Sequence, residues 1–255
     1  MNQDNLSDDI MISQGAEGKI YLSSFMGKKC IIKERFVKKY RLPELDKQLT
    51  KNRMLNESRN IARCSKAGIN VPTIYFVDML NRKIYMQCIS NSVQLKEVLR
   101  VIDDYTVANK GSKEYDELIE KICIELGEML AKLHGSDIIH GDLTPSNILI
   151  KINDIKEDYD FNSGKNKILS SKTFDYMYLI DFGLSSVSNS FQGGIEDKAV
   201  DLYVLKRAIV SSNPKSEEIF EKVLDIYQQK CPNGDKIVEH YKKVEMRGRK
   251  KLAFG

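Results

Sequence analysis

The period of the apolar positions changes near residue 90. Before it, the short alternating runs IMIS, KIYLSS and KKCIIKERFV, between residues 10 and 40, are separated by Gly15 to Gly18 and by Gly27, which predicts a small antiparallel sheet. From Leu45 to Ala67 the chain reads as a polar helix without Gly or Pro, stopped by Gly68 and Pro72. Two more strand-like runs follow, TIYFVDM and KIYMQCI, joined at Asn81 and Arg82. Beyond Ser90 the period is helical. Leu118, Ile122, Leu126, Leu130 and His134 form an i, i+4 row, broadened by Ile119, Met129 and Leu133 and closed by Gly135. DIIHGDLTPSNILIKI reads as a loop entering a strand, and YMYLI at 176 to 180 as its partner across a polar insertion, 153 to 175. Helices resume near Lys198, and Asn213 with Pro214 caps another that carries Ile219, Phe220, Val223, Leu224 and Tyr227. The last stretch, KKVEMRGRKKLAFG, has no continuous apolar face and is expected to be loose. The predicted organisation is a sheet-plus-helix lobe over 1–89, a helical lobe over 90–241 and a basic C-terminal tail over 242–255.

Composition narrows the function classes. With 255 residues, 42% of them apolar and 30% charged, the chain can bury a sizeable core. The start MNQDNLSDDI carries Asp4, Asp8 and Asp9 where a secretory signal carries basic residues, and no run approaches the roughly 18 apolar residues of a membrane span. Five cysteines, an odd number without a CxxC, suggest neither a disulfide framework nor a zinc site, and three histidines leave little for a histidine-based metal site. A reducing compartment is expected, cytoplasmic and also nuclear. The net charge of +4 is unevenly spread: residues 28 to 41 hold seven basic and one acidic side chain, net +6, and residues 242 to 251 hold six and one, net +5. Everything else therefore carries −7, an acidic body with two cationic segments suited to a local polyanion contact.

The chemistry concentrates in His140-Gly-Asp-Leu-Thr-Pro-Ser-Asn147, followed 34 residues after Asn147 by Asp181-Phe-Gly183. An Asp and an Asn five residues apart at a loop-to-strand junction can set a carboxylate beside an attacking hydroxyl and an amide oxygen on magnesium. A second Asp after a strand adds another oxygen ligand. The pair resembles the catalytic loop and metal-binding element of the protein-kinase-like superfamily. That resemblance implies an α+β, two-lobed protein-kinase-like fold with ATP and Mg2+ in the cleft. Ser13-Gln-Gly-Ala-Glu-Gly18 is similar to the Gly-rich loop, so Gly15, Ala16, Glu17 and Gly18 are candidate phosphate contacts. Lys33 fits the phosphate-binding lysine and Glu57, 24 residues on, its partner, with Glu44 a weaker competitor. Met86 would be the gatekeeper and Gln87 to Ile89 the hinge, with Ile20, Ile31 and Leu149 closing on the adenine; plain core packing accounts for these apolar positions equally well. Asp142 would be the catalytic carboxylate, with Asn147 and Asp181 as metal ligands. His140 looks like a scaffold, and Asp201 resembles the buried aspartate that braces the loop.

Several positions depart from ordinary protein kinases. Gly141 stands where many carry Arg, and Thr144 where Ser/Thr kinases place a lysine on the γ-phosphate. Only 17 residues separate Gly183 from Asp201 and 54 follow Asp201, so the C-terminal lobe is reduced and lacks the extended activation segment. HGDLTPSNIL, IDFGLS, Glu196-Asp-Lys-Ala-Val-Asp-Leu-Tyr-Val-Leu-Lys-Arg-Ala208 and the terminal Arg247-Gly-Arg-Lys-Lys251 closely resemble the PRPK family, the small atypical kinase subunit of the KEOPS (EKC) complex. Tyr40 to Thr50, Asn56 to Arg59 and Ala67 to Pro72 extend the resemblance over nearly the whole chain; the insertion 153 to 175 and Gly193-Gly194 depart from it. The resemblance implies an atypical Ser/Thr kinase and ATPase supporting threonylcarbamoyladenosine formation in tRNA. Its implied partners are other KEOPS subunits, chiefly the tRNA-modifying ATPase-fold subunit, and tRNA through Arg247, Arg249, Lys250 and Lys251. Two other readings compete: a non-catalytic nucleotide-binding scaffold for complex assembly and tRNA contact, and a small-molecule phosphotransferase of the aminoglycoside or choline kinase kind, for which too few residues follow Asp201 to build an acidic helical subdomain.

Overall fold

A computed structural model describes residues 9–15, 18–108, 113–152, 174–188, 191–212 and 216–253. The β-prone runs form β1 (Ile10–Gln14), β2 (Lys19–Phe25) and β3 (Lys28–Glu34), followed by α1 (Pro43–Lys66), β4 (Ile74–Asp78) and β5 (Lys83–Gln87). The strands make one five-stranded antiparallel sheet, in the order β1-β2-β3-β5-β4. Pro43 starts α1, where its missing N–H costs nothing, and Glu44 and Asp46 suit the positive end of the helix. Asp46 is buried and takes Arg82 at 2.7 Å and Arg41 at 3.6 Å, tying the start of α1 to the β4–β5 turn.

Beyond Ser90 the chain does not turn helical at once. Ser92–Gln94 is a short strand, β6, too brief for a period to reveal, and it leads into α2 (Leu95–Ala108) and α3 (Lys113–Gly135). Then come β7 (Ile138–Ile139), a single 3-10 turn at Pro145–Asn147, and β8 (Ile148–Lys151). The strand β9 (Tyr176–Leu179) pairs antiparallel with β8, whose other edge takes β6. Most of the insertion, residues 153–173, lies outside the described residues; its end returns to the core at Phe174, which is 2% exposed and stacks under the Lys121 ammonium. After β10 (Ser186–Val187) come α4 (Phe191–Ser212), α5 (Glu217–Lys230) and α6 (Gly234–Ala253). So α4 starts ahead of Lys198, and Ser216 precedes α5, while the Asn213-Pro214 cap lies outside the described residues.

Two cores form. The sheet keeps a small one of Met54, Ile84 and Met86. The large one gathers α2 to α6 and also takes Ile61, Cys64, Ile69 and Val71 from α1 and the turn after it. The second half of α1 is thus anchored in the helical lobe, which makes it the element that joins sheet and helices. The five cysteines are free. No helix among the described residues is long and apolar enough to cross a membrane.

One expectation is overturned. The basic stretch from Lys242 continues α6 to Ala253 instead of lying loose. Tyr241 and Val244 are buried in the large core, Glu245 joins Glu217 and Glu221 around the buried Lys206 ammonium, and Arg247 Nη2 lies 2.5 Å from Glu196 Oε1. A helix needs only a few well-placed apolar residues when ion pairs to neighbouring helices complete its buried side, and those pairs join residues too distant for a local pattern to show.

Candidate active site

The lysine of β3 faces the helix and the loop after β9. Lys33 Nζ lies 2.6 Å from Glu57 Oε1 and 2.5 Å from Asp181 Oδ1. Strand residues two apart share a face, so Arg35 points the same way and its Nη2 reaches Glu57 Oε2 at 2.7 Å. Glu57 is 0% exposed and therefore holds two cations with one carboxylate, each oxygen committed to a different residue. Glu44, the competitor for this role, is exposed at the other end of α1. Arg35 was not singled out by sequence; the Lys-x-Arg spacing on a strand was the signal that could have found it. It also reaches the Asp181-Phe-Gly183 turn, where a Cβ on Gly183 would stand 2.5 Å from Arg35 Nη2.

The loop carrying Asp142 is braced from below. Asp201, 2% exposed on α4, accepts the backbone N–H of His140 at 2.6 Å and of Gly141 at 2.9 Å. His134, the last member of the α3 row, sits between Asp201 (3.4 Å) and the Tyr227 hydroxyl (2.8 Å), so the brace reaches α5. Gly141 has φ +80°, and a Cβ there would lie 2.4 Å from the Leu184 carbonyl oxygen. That backbone conformation and that approach exclude the arginine of ordinary kinases at this position. Asn147 donates its amide N–H groups to Asp142 O at 2.9 Å and Asp142 Oδ2 at 3.1 Å.

His140 is fully buried, its ring against Phe182, with Nε2 3.1 Å from the Ile180 carbonyl and Nδ1 3.3 Å from the Asp142 backbone nitrogen. These partners assign the neutral tautomer: Nε2–H donates to Ile180 and Nδ1 accepts from Asp142 N–H. Burial pushes its pKa below the ordinary imidazole value, against the pull of Asp201, the Ile180 carbonyl, Asp181 and Asp142. The unfolded chain then binds more protons, because its imidazole titrates near pH ~6.5. Stability is expected to fall as pH drops below about 6.5 towards the lower folded value. Thermal melting at pH 7.5 and 5.5 checks this; His140→Gln should flatten the slope, and an equal slope in that variant would assign it elsewhere.

Asp181 occupies φ +62°, a left-handed conformation that Asp tolerates better than most residues. Burial works to raise its pKa, but the Lys33 charge and hydrogen bond, the Gly183 N–H and Arg35 outweigh it and hold the carboxyl below its usual range. Asp142 is exposed, facing the cleft side of the loop. No group of three or more His, Cys, Asp or Glu among the described residues could hold a metal alone. Magnesium does not need one, since it keeps waters and binds through one or two carboxylates plus substrate phosphates. Asp181 and Asn147 fit that donor set: with the Asn147 amide nitrogen spent on Asp142, its oxygen is the atom left to offer.

At the other end of the cleft, Gly15 N–H bonds to Gly18 O at 3.0 Å, closing the β1–β2 turn; Ala16 and Glu17 lie outside the described residues. Ile20, Ile31 and Leu149 are half-buried, whereas Met86 is packed beside Met54 and Ile84. Gln87 N–H is taken by the Thr73 carbonyl at 2.8 Å, and the Ile89 carbonyl accepts the Ser92 hydroxyl at 2.6 Å. Of the 28-to-41 cations, Lys33, Arg35 and Arg41 are spent on internal carboxylates, which leaves Lys28, Lys29 and Lys39 exposed. The net +6 of that segment is thus partly an internal charge and not a free basic surface.

Comparison with known proteins decides the family. The chain is 39% identical to the EKC/KEOPS complex subunit bud32 of Dictyostelium discoideum, over 96% of this chain and 85% of that protein. It is a member of the Bud32 family, the PRPK family. The Bud32 relatives extend to mouse, where the EKC/KEOPS complex subunit Tp53rkb is 34% identical over 96% of this chain and 88% of its own length. A longer archaeal relative, the probable bifunctional tRNA threonylcarbamoyladenosine biosynthesis protein of Methanobrevibacter smithii, is 35% identical over 94% of this chain and 37% of its own. The family model described as "Lipopolysaccharide kinase (Kdo/WaaP) family" matches residues 22–172, which places the Bud32 chain within that wider kinase-like group. Among solved structures, WaaP in complex with acyl carrier protein superposes with a TM-score of 0.59 at 12% identity, covering 96% of this chain and 88% of that one. The Rio2 kinase from Chaetomium thermophilum gives 0.51 at 14% identity, covering 94% and 74%. At such identities these two show the fold alone, a protein-kinase-like fold.

Proposed function

We propose that the protein is a magnesium-dependent ATPase and atypical serine/threonine kinase. In this reading it works as the Bud32-type subunit of a KEOPS complex and supports threonylcarbamoyladenosine formation in tRNA. The observation that carries the enzymatic part is Lys33, held at 2.6 and 2.5 Å between Glu57 and Asp181, with the Asp142–Asn147 pair across the cleft. Lys33 would hold the α- and β-phosphates and Glu57 keeps it aimed. Asp142 would orient the nucleophile, a serine hydroxyl or water, and accept its proton. Asn147 and Asp181 would hold magnesium, which when bound neutralises charge across the β- and γ-phosphates. Half-buried Ile20, Ile31 and Leu149 would line the adenine, with Gln87 to Ile89 as the hinge. The names of the relatives support KEOPS subunits as partners, and the basic run Arg247, Arg249, Lys250 and Lys251 in the sequence of the last turns of α6 supports a phosphate-backbone contact with tRNA. A cytoplasmic or nuclear location follows from the same reading.

The test is phosphate release from γ-labelled ATP by the purified protein, with magnesium and with magnesium chelated. Turnover is expected only with the metal. Equal release in both arms, or none in either while tRNA modification still depends on the protein, would favour the scaffold role instead.

A further inference from the structure

Two basic residues divide one buried carboxylate. Lys33 Nζ meets Glu57 Oε1 at 2.6 Å and Arg35 Nη2 meets Glu57 Oε2 at 2.7 Å, with Glu57 itself 0% exposed. Lys33 has three N–H donors, and it also reaches Asp181 Oδ1 at 2.5 Å. Among these four residues two positive charges therefore face two negative ones. That balance lets Lys33 change partners without leaving the buried Glu57 uncompensated. A lone Lys–Glu pair has no such freedom: the ammonium is drawn to both oxygens, and every step away from them strands the carboxylate.

The backbone fixes where Arg35 stands. Its N–H donates to the Arg82 carbonyl at 3.0 Å, one residue beyond the β3–β5 pairing, and the Arg82 side chain holds Asp46 at the start of α1. The Gly-rich turn closes on it from the other side: a Cβ on Gly18 would stand 2.2 Å from the Glu34 carbonyl oxygen and 3.4 Å from Arg35 Cα. The guanidinium itself runs between Glu57 and the Gly183 backbone. Arg35 thus touches the Gly-rich turn, the carboxylate of α1 and the turn after β9.

We propose that Arg35 is a positioning residue for nucleotide binding. By holding Glu57 Oε2 it fixes the rotation of the carboxylate and confines Lys33 to Oε1, which keeps the ammonium turned to the cleft and free to exchange Asp181 for the α- and β-phosphates. This rests on the ATP-dependent reading above, in which Asp181 turns to magnesium as Lys33 turns to the phosphates; Arg35 is the counter-ion that stays with Glu57. It acts through Glu57 and Lys33, not on the phosphates.

Calorimetric titration of the full chain with magnesium-ADP tests this on the unaltered protein, Arg35→Met, Arg35→Lys, Glu57→Gln and the double variant Glu57→Gln with Arg35→Met, beside a thermal melt of each. Arg35→Met should weaken magnesium-ADP by about 10-fold, the worth of one hydrogen bond to a charged group. Arg35→Lys should recover most of that loss, since an ammonium can still hold Glu57 Oε2. In the Glu57→Gln background the change to Met should cost no more than ~2-fold, because no buried carboxylate remains to be divided. That comparison also decides the matter if Arg35→Met alone folds poorly, since the double variant again sets one cation, Lys33, against one carboxylate, Asp181. A 10-fold loss in the Glu57→Gln background, or lower melting temperatures with ADP affinity unaltered in every variant, would overturn the proposal. An unaltered protein that does not bind magnesium-ADP would overturn the ATP reading itself, a result seen before any variant is compared.

Discussion

Asp142→Asn is expected to lower ATP turnover by about 10²- to 10⁴-fold, the range a positioned general base contributes, while magnesium-ATP still binds. Asp142 is exposed on the cleft side of the loop, its backbone N–H is held by His140 Nδ1 and its Oδ2 accepts from Asn147. Asparagine keeps the size and one carbonyl oxygen for Asn147, so the loop should stay in place and only the proton acceptor is lost. Asp181→Asn should behave differently. Its carboxylate faces Lys33 and the proposed metal, so nucleotide affinity in magnesium should fall and affinity with magnesium chelated should change little. Single-turnover kinetics beside equilibrium nucleotide binding separates the two. Retention of full turnover by Asp142→Asn would remove this residue from the mechanism.

Removing the carboxylate of Glu57 should be the most destabilising single change in the cleft. Lys33 and Arg35 are 8% and 6% exposed, and both end on this one fully buried side chain. Glu57→Ala takes from both buried cations the carboxylate they share, and breaking a buried ion pair from one side costs about 3–5 kcal/mol. Against a total stability of about 5–15 kcal/mol, that approaches the whole margin. Urea unfolding should show the loss as a lower midpoint. Adding Arg35→Met to Glu57→Ala should restore part of it, because an apolar side chain in place of a stranded buried charge is tolerated or favoured. A double variant no more stable than Glu57→Ala would mean that the guanidinium finds water or another carboxylate.

Much of the site was legible before any coordinates. The spacing of Asp142 and Asn147 is local, and the structure places their side chains 3.1 Å apart. The order Gly-rich turn, Lys33, Glu57, Asp142, Asp181 follows the order of elements in a kinase-like chain, which is why a linear reading could pick out residues that the fold then brings together. Arg35 was missed because it is one basic residue among many: the Lys-x-Arg spacing sets it on the face of Lys33, but nothing local says that this face meets a buried carboxylate. The short β6 and β7 were missed for a different reason: two or three residues are too few for a period of two to appear.

By itself the sequence determined most of the longer elements, the antiparallel sheet followed by helices, the family resemblance and the candidate residues of the 140-to-147 loop, because all of these rest on periods, caps and short spacings among neighbouring positions. The tertiary structure decided which charges are available. Arg35 meets Glu57 across 22 positions and Lys33 meets Asp181 across 148, so much of the cationic 28-to-41 segment is neutralised from within. The basic C-terminal stretch, in the same way, became a helix held by Glu196 and Lys206. An ion pair depends on where two distant side chains arrive after packing, and the chain's net charge of +4 is the same whether they meet or not.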